Sequence, residues 1–250
     1  MKKLALLAIL LLFNIGIIFG QDQYIFAYGG VHVKQFVKEI IKLTGKERPK
    51  ICFLPTASGD NAKAIIGWYE IVHDLSLEPM VQRTFEIGSK NQKVSFEDVL
   101  LNVDAIVVGG GNTVNMMAVW KAQGIDVVLK KALEKGIVLA GNSAGSLCWF
   151  EKGITDSRPI KLGVVEGLGF LEYSNCPHYD ADEARRKLYH EYIETGVFQA
   201  GYAFGSNSGI IFKNGKPFKV VSTGEAHNSY FVSLQNDKLV EEKLEAIILK

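Results

Sequence analysis

Cysteine is scarce. The chain has three, Cys52, Cys148 and Cys176, odd in number and scattered. They define no disulfide framework and no Cys-x-x-Cys metal pair. Cys52 and Cys148 stand in apolar runs, the setting of small core residues. An excess of charge of one sign is also lacking. Against 28 Lys and Arg stand 27 Asp and Glu, a net charge of +1. That balance excludes the large electrostatic footprint of a nucleic-acid partner. No repeat recurs at the periods of solenoids, and the 25 glycines follow no three-residue period, so collagen is excluded. What the chain does have is 250 residues, 48% hydrophobic and 22% charged. That is enough apolar surface for a real core and too much for a disordered state.

The one long apolar run lies at the start. Two lysines precede residues 4–20, which are apolar except for Asn14, and a polar Gln21-Asp22-Gln23 follows. This is the order of a secretory signal peptide. The run falls short of the roughly 20 residues that span a bilayer comfortably. We expect residues 1–20 to be removed after Gly20, leaving residues 21–250 as a single domain, exported to the periplasm or secreted, with no stable membrane span. Residues 1–20 hold two lysines and no acid, so the remainder carries 26 basic against 27 acidic residues and a net charge of −1.

Apolar runs then alternate with amphipathic stretches. Residues 24–28 (YIFAY) read as a buried strand. Residues 33–43 place Val33, Phe36, Val37, Ile40 and Ile41 on one helical face. Residues 51–54 form a short strand stopped by Pro55, and Asp60 or Asn61 caps a helix to about residue 75. A weaker strand covers 80–85 and a strong one 105–108 (AIVV), which runs into Gly109-Gly110-Gly111-Asn112. Helix follows in two pieces to Lys135, then a strand at 137–140. This alternation predicts an α/β fold with a doubly wound, mostly parallel sheet. Asn214-Gly215 between apolar runs adds a C-terminal antiparallel hairpin extension.

In such sheets the ligand sits at the carboxyl ends of the strands. Gly141-Asn142-Ser143-Ala144-Gly145 is there, with strand before and helix-compatible residues 144–150 after, the G-x-S-x-G context that turns a serine outward. A serine nucleophile needs a base. Among the five histidines, His178 follows Pro177, which fixes its own backbone angle. His190 falls on a polar helix and reads as a solvated face, as His73 also lies in a helix; His32 and His227 lie in loops. Asp156 lies between Ser143 and His178 and suits an orienting acid. Ala144 and the glycines at 109–111 suit the two amides of an oxyanion hole. The same glycines followed by Asn112 also suit an anion nest, although neither G-x-G-x-x-G nor a P-loop lysine is present.

VGGGNT (108–113), GNSAGSLCWF (141–150), GITDS (153–157) and NCPHYD (175–180), in that order, resemble the dipeptidase E and cyanophycinase family of serine peptidases, which has a class I glutamine amidotransferase-like fold. The resemblance spans roughly residues 24–235. It implies Ser143 as nucleophile, His178 as base and Asp156 as acid, with oxyanion donors at Gly111 and Ala144 and Gly110 beside them. Asn112 is a further substrate-binding candidate. The implied substrates are short or β-linked aspartyl peptides, with no metal or organic cofactor; a homodimer is compatible with the sequence. One departure stands out. The turn after the histidine reads Gly205-Ser206-Asn207-Ser208-Gly209, with Asn207 where the family carries an acid that could hold a substrate amine. An α/β-hydrolase esterase shares the elbow but places its histidine nearer the C-terminus. A non-catalytic binding protein that kept the fold is the other alternative.

Overall fold

The computed structural model describes residues 21–250 except 86, 89, 91 and 182, so the expected signal peptide lies outside the described residues. In chain order the elements are β1 (Tyr24–Tyr28), α1 (Lys34–Thr44), β2 (Lys50–Leu54), α2 (Ala62–Val72), β3 (Glu78–Val81), α3 (Phe96–Leu100) and β4 (Ala105–Val108). Then come α4 (Thr113–Gln123), α5 (Ile125–Glu134), β5 (Val138–Asn142), α6 (Ala144–Leu147), β6 (Phe150–Thr155), β7 (Gly163–Glu166), β8 (Leu171–Pro177) and α7 (Glu183–Glu194). The chain ends with β9 (Gly201–Phe204), β10 (Ser208–Lys213), β11 (Lys216–Ser222), β12 (Ser229–Gln235), β13 (Lys238–Leu244) and β14 (Ile247–Ile248).

The main sheet has eight strands in the order β14-β11-β10-β1-β5-β4-β2-β3. Strands β1, β5, β4, β2 and β3 are mutually parallel. Because successive side chains point to opposite faces, each central strand feeds two cores. Phe26 and Tyr28 of β1 pack with Phe36 and Ile40 of α1 and Trp68 of α2. Ile25 and Ala27 point the other way, toward Met116 and Trp120 of α4 and Leu129 of α5. Helices on both faces make the sheet doubly wound. This is the mixed α/β, glutamine amidotransferase-like architecture. Residues 208–222 form the expected hairpin, and it joins the main sheet antiparallel to β1.

The sequence did not foreshadow the second sheet, six strands in the order β13-β12-β9-β8-β6-β7. One face of it, with Phe150, Leu171, Tyr202 and Phe204, completes the core shared with α4 and α5. The other face, with Ile154, Cys176 and Ala203, is covered by Tyr189 and Ile193 of α7. The helix expected over 144–150 is correspondingly shorter. It stops at Leu147, and Phe150 begins a strand instead. All three cysteines are buried and none is in a disulfide, and burial pushes the Cys52 thiol up to about 12. No helix among the described residues is long and apolar enough to cross a membrane.

Candidate active site

The site forms where β5 and β4 deliver their carboxyl ends side by side. Gly141 and Gly145 flank Ser143 for a steric reason. A Cβ on Gly141 would stand 2.2 Å from the carbonyl oxygen of Gly145, and one on Gly145 2.2 Å from that of Val108. Strand and helix are thus in backbone contact, and the connection has room only for a sharp turn. Ser143 makes that turn with φ 52° and ψ −114°, a conformation that non-glycine residues rarely hold. Its N–H donates to the Tyr28 carbonyl at 3.1 Å. The strained elbow that the sequence motif implied is therefore present.

The partner histidine arrives from the second sheet. His178 directly follows β8 and is itself at φ 59°. The next N–H, that of Tyr179, donates to the Phe204 carbonyl at 2.9 Å. His178 Nε2 lies 2.7 Å from Ser143 Oγ. A residue that sequence reasoning missed helps to fix this approach. Asn175, fully buried on β8, accepts from Ser146 Oγ at 3.3 Å and donates to the Tyr202 carbonyl at 2.9 Å. The single Ser146 hydroxyl hydrogen is shared with the Ser143 carbonyl, 2.9 Å away. The elbow and the histidine strand are thereby tied together. Its strand, LEYSNCP, is itself mixed in polarity, so no local signal singled Asn175 out.

Burial holds the His178 ring below the ordinary histidine pKa. The nearby Arg185 guanidinium acts in the same direction, while Asp156 and Asp180 oppose both. At neutral pH the ring is therefore neutral and able to accept a proton. The acid is arranged differently from a hydrogen-bonded triad. Asp156 sits just beyond β6, and its Oδ2 accepts from Arg185 Nη2 at 3.0 Å. Its side chain is 70% exposed, whereas that of Arg185 is 5% exposed. No hydrogen bond joins Asp156 to His178 among the described residues. Asp180 points elsewhere, accepting from the N–H and Oγ of Ser206.

The loop after β4 supplies amides. Gly109 N–H is committed to the Leu54 carbonyl at 3.1 Å and Asn112 N–H to that of Ala57 at 2.8 Å. The N–H groups of Gly110 and Gly111 between them have no partner among the described residues. A Cβ on Gly110 would stand 3.2 Å from Ser143 Cβ, so this loop abuts the serine. Gly111 has φ 142° with Ala57 packed against it, a place for glycine alone. Ala144, the first residue of α6, adds an amide that the helix does not use.

Two candidates are not brought to Ser143. Asn112 caps α4, its Oδ1 accepting from Asn115 N–H at 2.8 Å, and its Nδ2 donates to the Ser157 carbonyl at 2.9 Å. Both ends of this side chain are structural, which corrects its reading as a substrate contact. Asn112→Ala is expected to cost about 0.5–2 kcal/mol of stability, the usual worth of an N-cap, read as a lower denaturant midpoint at unchanged m-value. The Asn207 amide lies 3.3 Å from His227 Nε2, and the Asn207 carbonyl accepts from Thr223 N–H. Among the described residues no hydrogen bond joins it to Ser143 or His178. His190 is not a solvated helix residue either. It joins the Tyr179 hydroxyl at 2.6 Å and Glu241 at 2.9 Å. The sequence marked that helix as polar but could not show that β13 brings a carboxylate across it. Among the described residues no cluster of His, Cys, Asp or Glu is built to hold a metal ion.

Residues 26–220 match the model of peptidase family S51. The chain is 39% identical over 202 residues to the uncharacterized peptidase YgaJ of Bacillus subtilis (strain 168), covering 81% of this chain and 86% of that one. It is 24% identical over 160 residues to peptidase E of Nostoc sp. (strain PCC 7120 / SAG 25.82 / UTEX 2576), covering 63% and 60%. Among solved structures, a peptidase from an acI-B1 Actinobacterium superposes with a TM-score of 0.69 at 14% identity, covering 91% of this chain and 96% of that one. A protein of Listeria monocytogenes EGD-e assigned as peptidase E gives a TM-score of 0.57 at 16% identity, covering 90% and 100%. These two likenesses concern the fold. With a family match over most of its length and a relative at 39% identity, the chain belongs to peptidase family S51, the family of serine peptidases that includes peptidase E.

Proposed function

We propose that the protein is an exported serine peptidase that hydrolyses short peptides through an acyl-enzyme on Ser143. The observation that carries this reading is the 2.7 Å contact between Ser143 Oγ and the neutral His178 Nε2 at a strained strand-to-helix turn. His178 takes the hydroxyl proton as Oγ attacks the scissile carbonyl. The amides of Ala144 and of the Gly110–Gly111 segment receive the charge that develops on the carbonyl oxygen. His178 then passes the proton to the departing amine, and a water activated by the same ring releases the acid.

Asp156 acts in this scheme through its field. Its carboxylate is held by Arg185, and its presence favours the protonated form of His178. Asp156→Asn therefore lowers the His178 pKa further, and the acid limb of kcat/KM moves to lower pH. The side chain is largely exposed, so solvent screening keeps the shift small. The loss in kcat falls well short of the ~10⁴ seen when a buried, hydrogen-bonded triad acid is replaced. A loss of that full size with no movement of the limb would show that Asp156 binds His178 directly during turnover. The function itself is tested by screening residues 21–250 against a dipeptide and tripeptide library, with Ser143→Ala as the control. Turnover of several peptides by wild type alone is expected. Turnover of simple esters but of no peptide would move the assignment to an esterase.

A further inference from the structure

The serine opens onto a cavity that the scheme above leaves unused. It has a volume of about 400 Å³ and lies between the loop after β1, the end of β2 and one face of α2, with Ser143, Asn142 and Gly110 at its mouth. That is the size of a site for a large side chain or small ligand. Its walls are Val31, Phe53, Trp68 and Ile71, and among the described residues no Asp, Glu, Lys or Arg lines it. Phe53 and Trp68 are stacked at 5.2 Å, and the His32 ring stands edge-on to Phe53 at 5.4 Å.

His32 is the one titratable side chain on this wall, and it is neutral. Burial takes its pKa down to about 4. Its Nδ1 lies 2.7 Å from the hydroxyl of Tyr28, and burial keeps that phenol protonated. The arrangement that satisfies both groups has the hydroxyl donating to Nδ1, which leaves a hydrogen on Nε2. His32 Nε2 and Trp68 Nε1 are both shielded from solvent and without a hydrogen-bond partner.

The position of His178 decides which side of the scissile bond the cavity serves. The departing amine must lie beside His178 to receive its proton. His178 does not line the cavity, whereas Ser143 and Gly110 do. The cavity therefore lies on the acyl side.

We propose that this cavity is the specificity pocket for the acyl-side residue of the substrate, and that it selects a large uncharged side chain, aromatic or aliphatic, over an aspartate. The proposal rests on Ser143 being the nucleophile. A carboxylate placed there would lose its water and meet no cation, a heavy penalty for an unpaired buried charge. An apolar side chain gains by burying its surface against Phe53, Trp68 and Ile71.

Two phosphonate probes test it, alike except for a phenylalanine or an aspartate side chain on the acyl side, with a plain fluorophosphonate that lacks any side chain as reference. The phenylalanine probe is expected to label Ser143 at least about tenfold faster than the aspartate probe, the scale on which apolar pockets discriminate. Gly67→Leu supplies a second reading. Gly67 lines the cavity from α2, and a Cβ there meets no atom within 4 Å, so a larger side chain has open space to enter; an unchanged thermal midpoint checks that the variant folds. It should lower the ratio of phenylalanine-probe to plain-probe labelling by about tenfold. Equal or faster labelling by the aspartate probe, while the plain probe still labels Ser143, would overturn the pocket and leave the nucleophile standing. An unchanged ratio in Gly67→Leu would do the same. Failure of the plain probe to label Ser143 would overturn the nucleophile and the pocket with it.

Discussion

Ser143→Ala is expected to leave a folded protein and to remove hydrolysis by a factor of about 10⁴ or more, as when one member of a nucleophile–base pair is lost. Loss of fold would confuse the result, and the structure argues against it. The elbow is held by the Ser143 N–H to the Tyr28 carbonyl and by Ser146 Oγ to the Ser143 carbonyl, both independent of the Ser143 hydroxyl. The hydroxyl itself has His178 as its partner. An unchanged thermal midpoint with activity lost assigns the chemistry to Oγ. Substantial hydrolysis by the variant would place the nucleophile elsewhere.

His178→Ala should cost about as much, because serine and base act as one unit. The wild-type pH profile supplies the finer test. Only the neutral ring can take the proton from Ser143. Burial and Arg185 both disfavour the protonated ring, so its pKa lies below the ordinary value near 6.5. As pH falls, kcat/KM should therefore stay on its plateau past that value and then drop tenfold per unit. His190→Ala gives the contrast. Its ring braces Tyr179 and Glu241, so stability falls while the acid limb stays in place. If His190→Ala moved the limb and His178→Ala did not, the base would be misassigned.

Much of this site is legible in the sequence. AIVV at 105–108 could only be a buried strand, and the glycines of GNSAG demanded close approach, which the backbone distances at Gly141 and Gly145 explain. The helix at 34–44 followed from its apolar face. Other features depend on partners distant in sequence. Residues 147–150 are apolar and buried throughout, so no periodicity separates helix from strand. Strand β6 pairs parallel with β8 on one side and antiparallel with β7 on the other, a register no local signal encodes. Asp156 stood in the right order for a triad acid, yet Arg185, from α7, claims its carboxylate. His32 looked like one loop histidine among several. Its place in an aromatic wall depends on Tyr28, Phe53 and Trp68 meeting around it. Trp68 and Ile71, three apart on α2, share that wall, and only the helix that carries them was read from the sequence.

The central claim is that His178 activates Ser143, and fluorophosphonate labelling with peptide mapping tests it most directly. The account predicts a single label on Ser143 in the wild type. The labelling rate should rise with pH along the same limb as kcat/KM and fall by orders of magnitude in His178→Ala. A label on another residue, or an undiminished rate in His178→Ala, would contradict it.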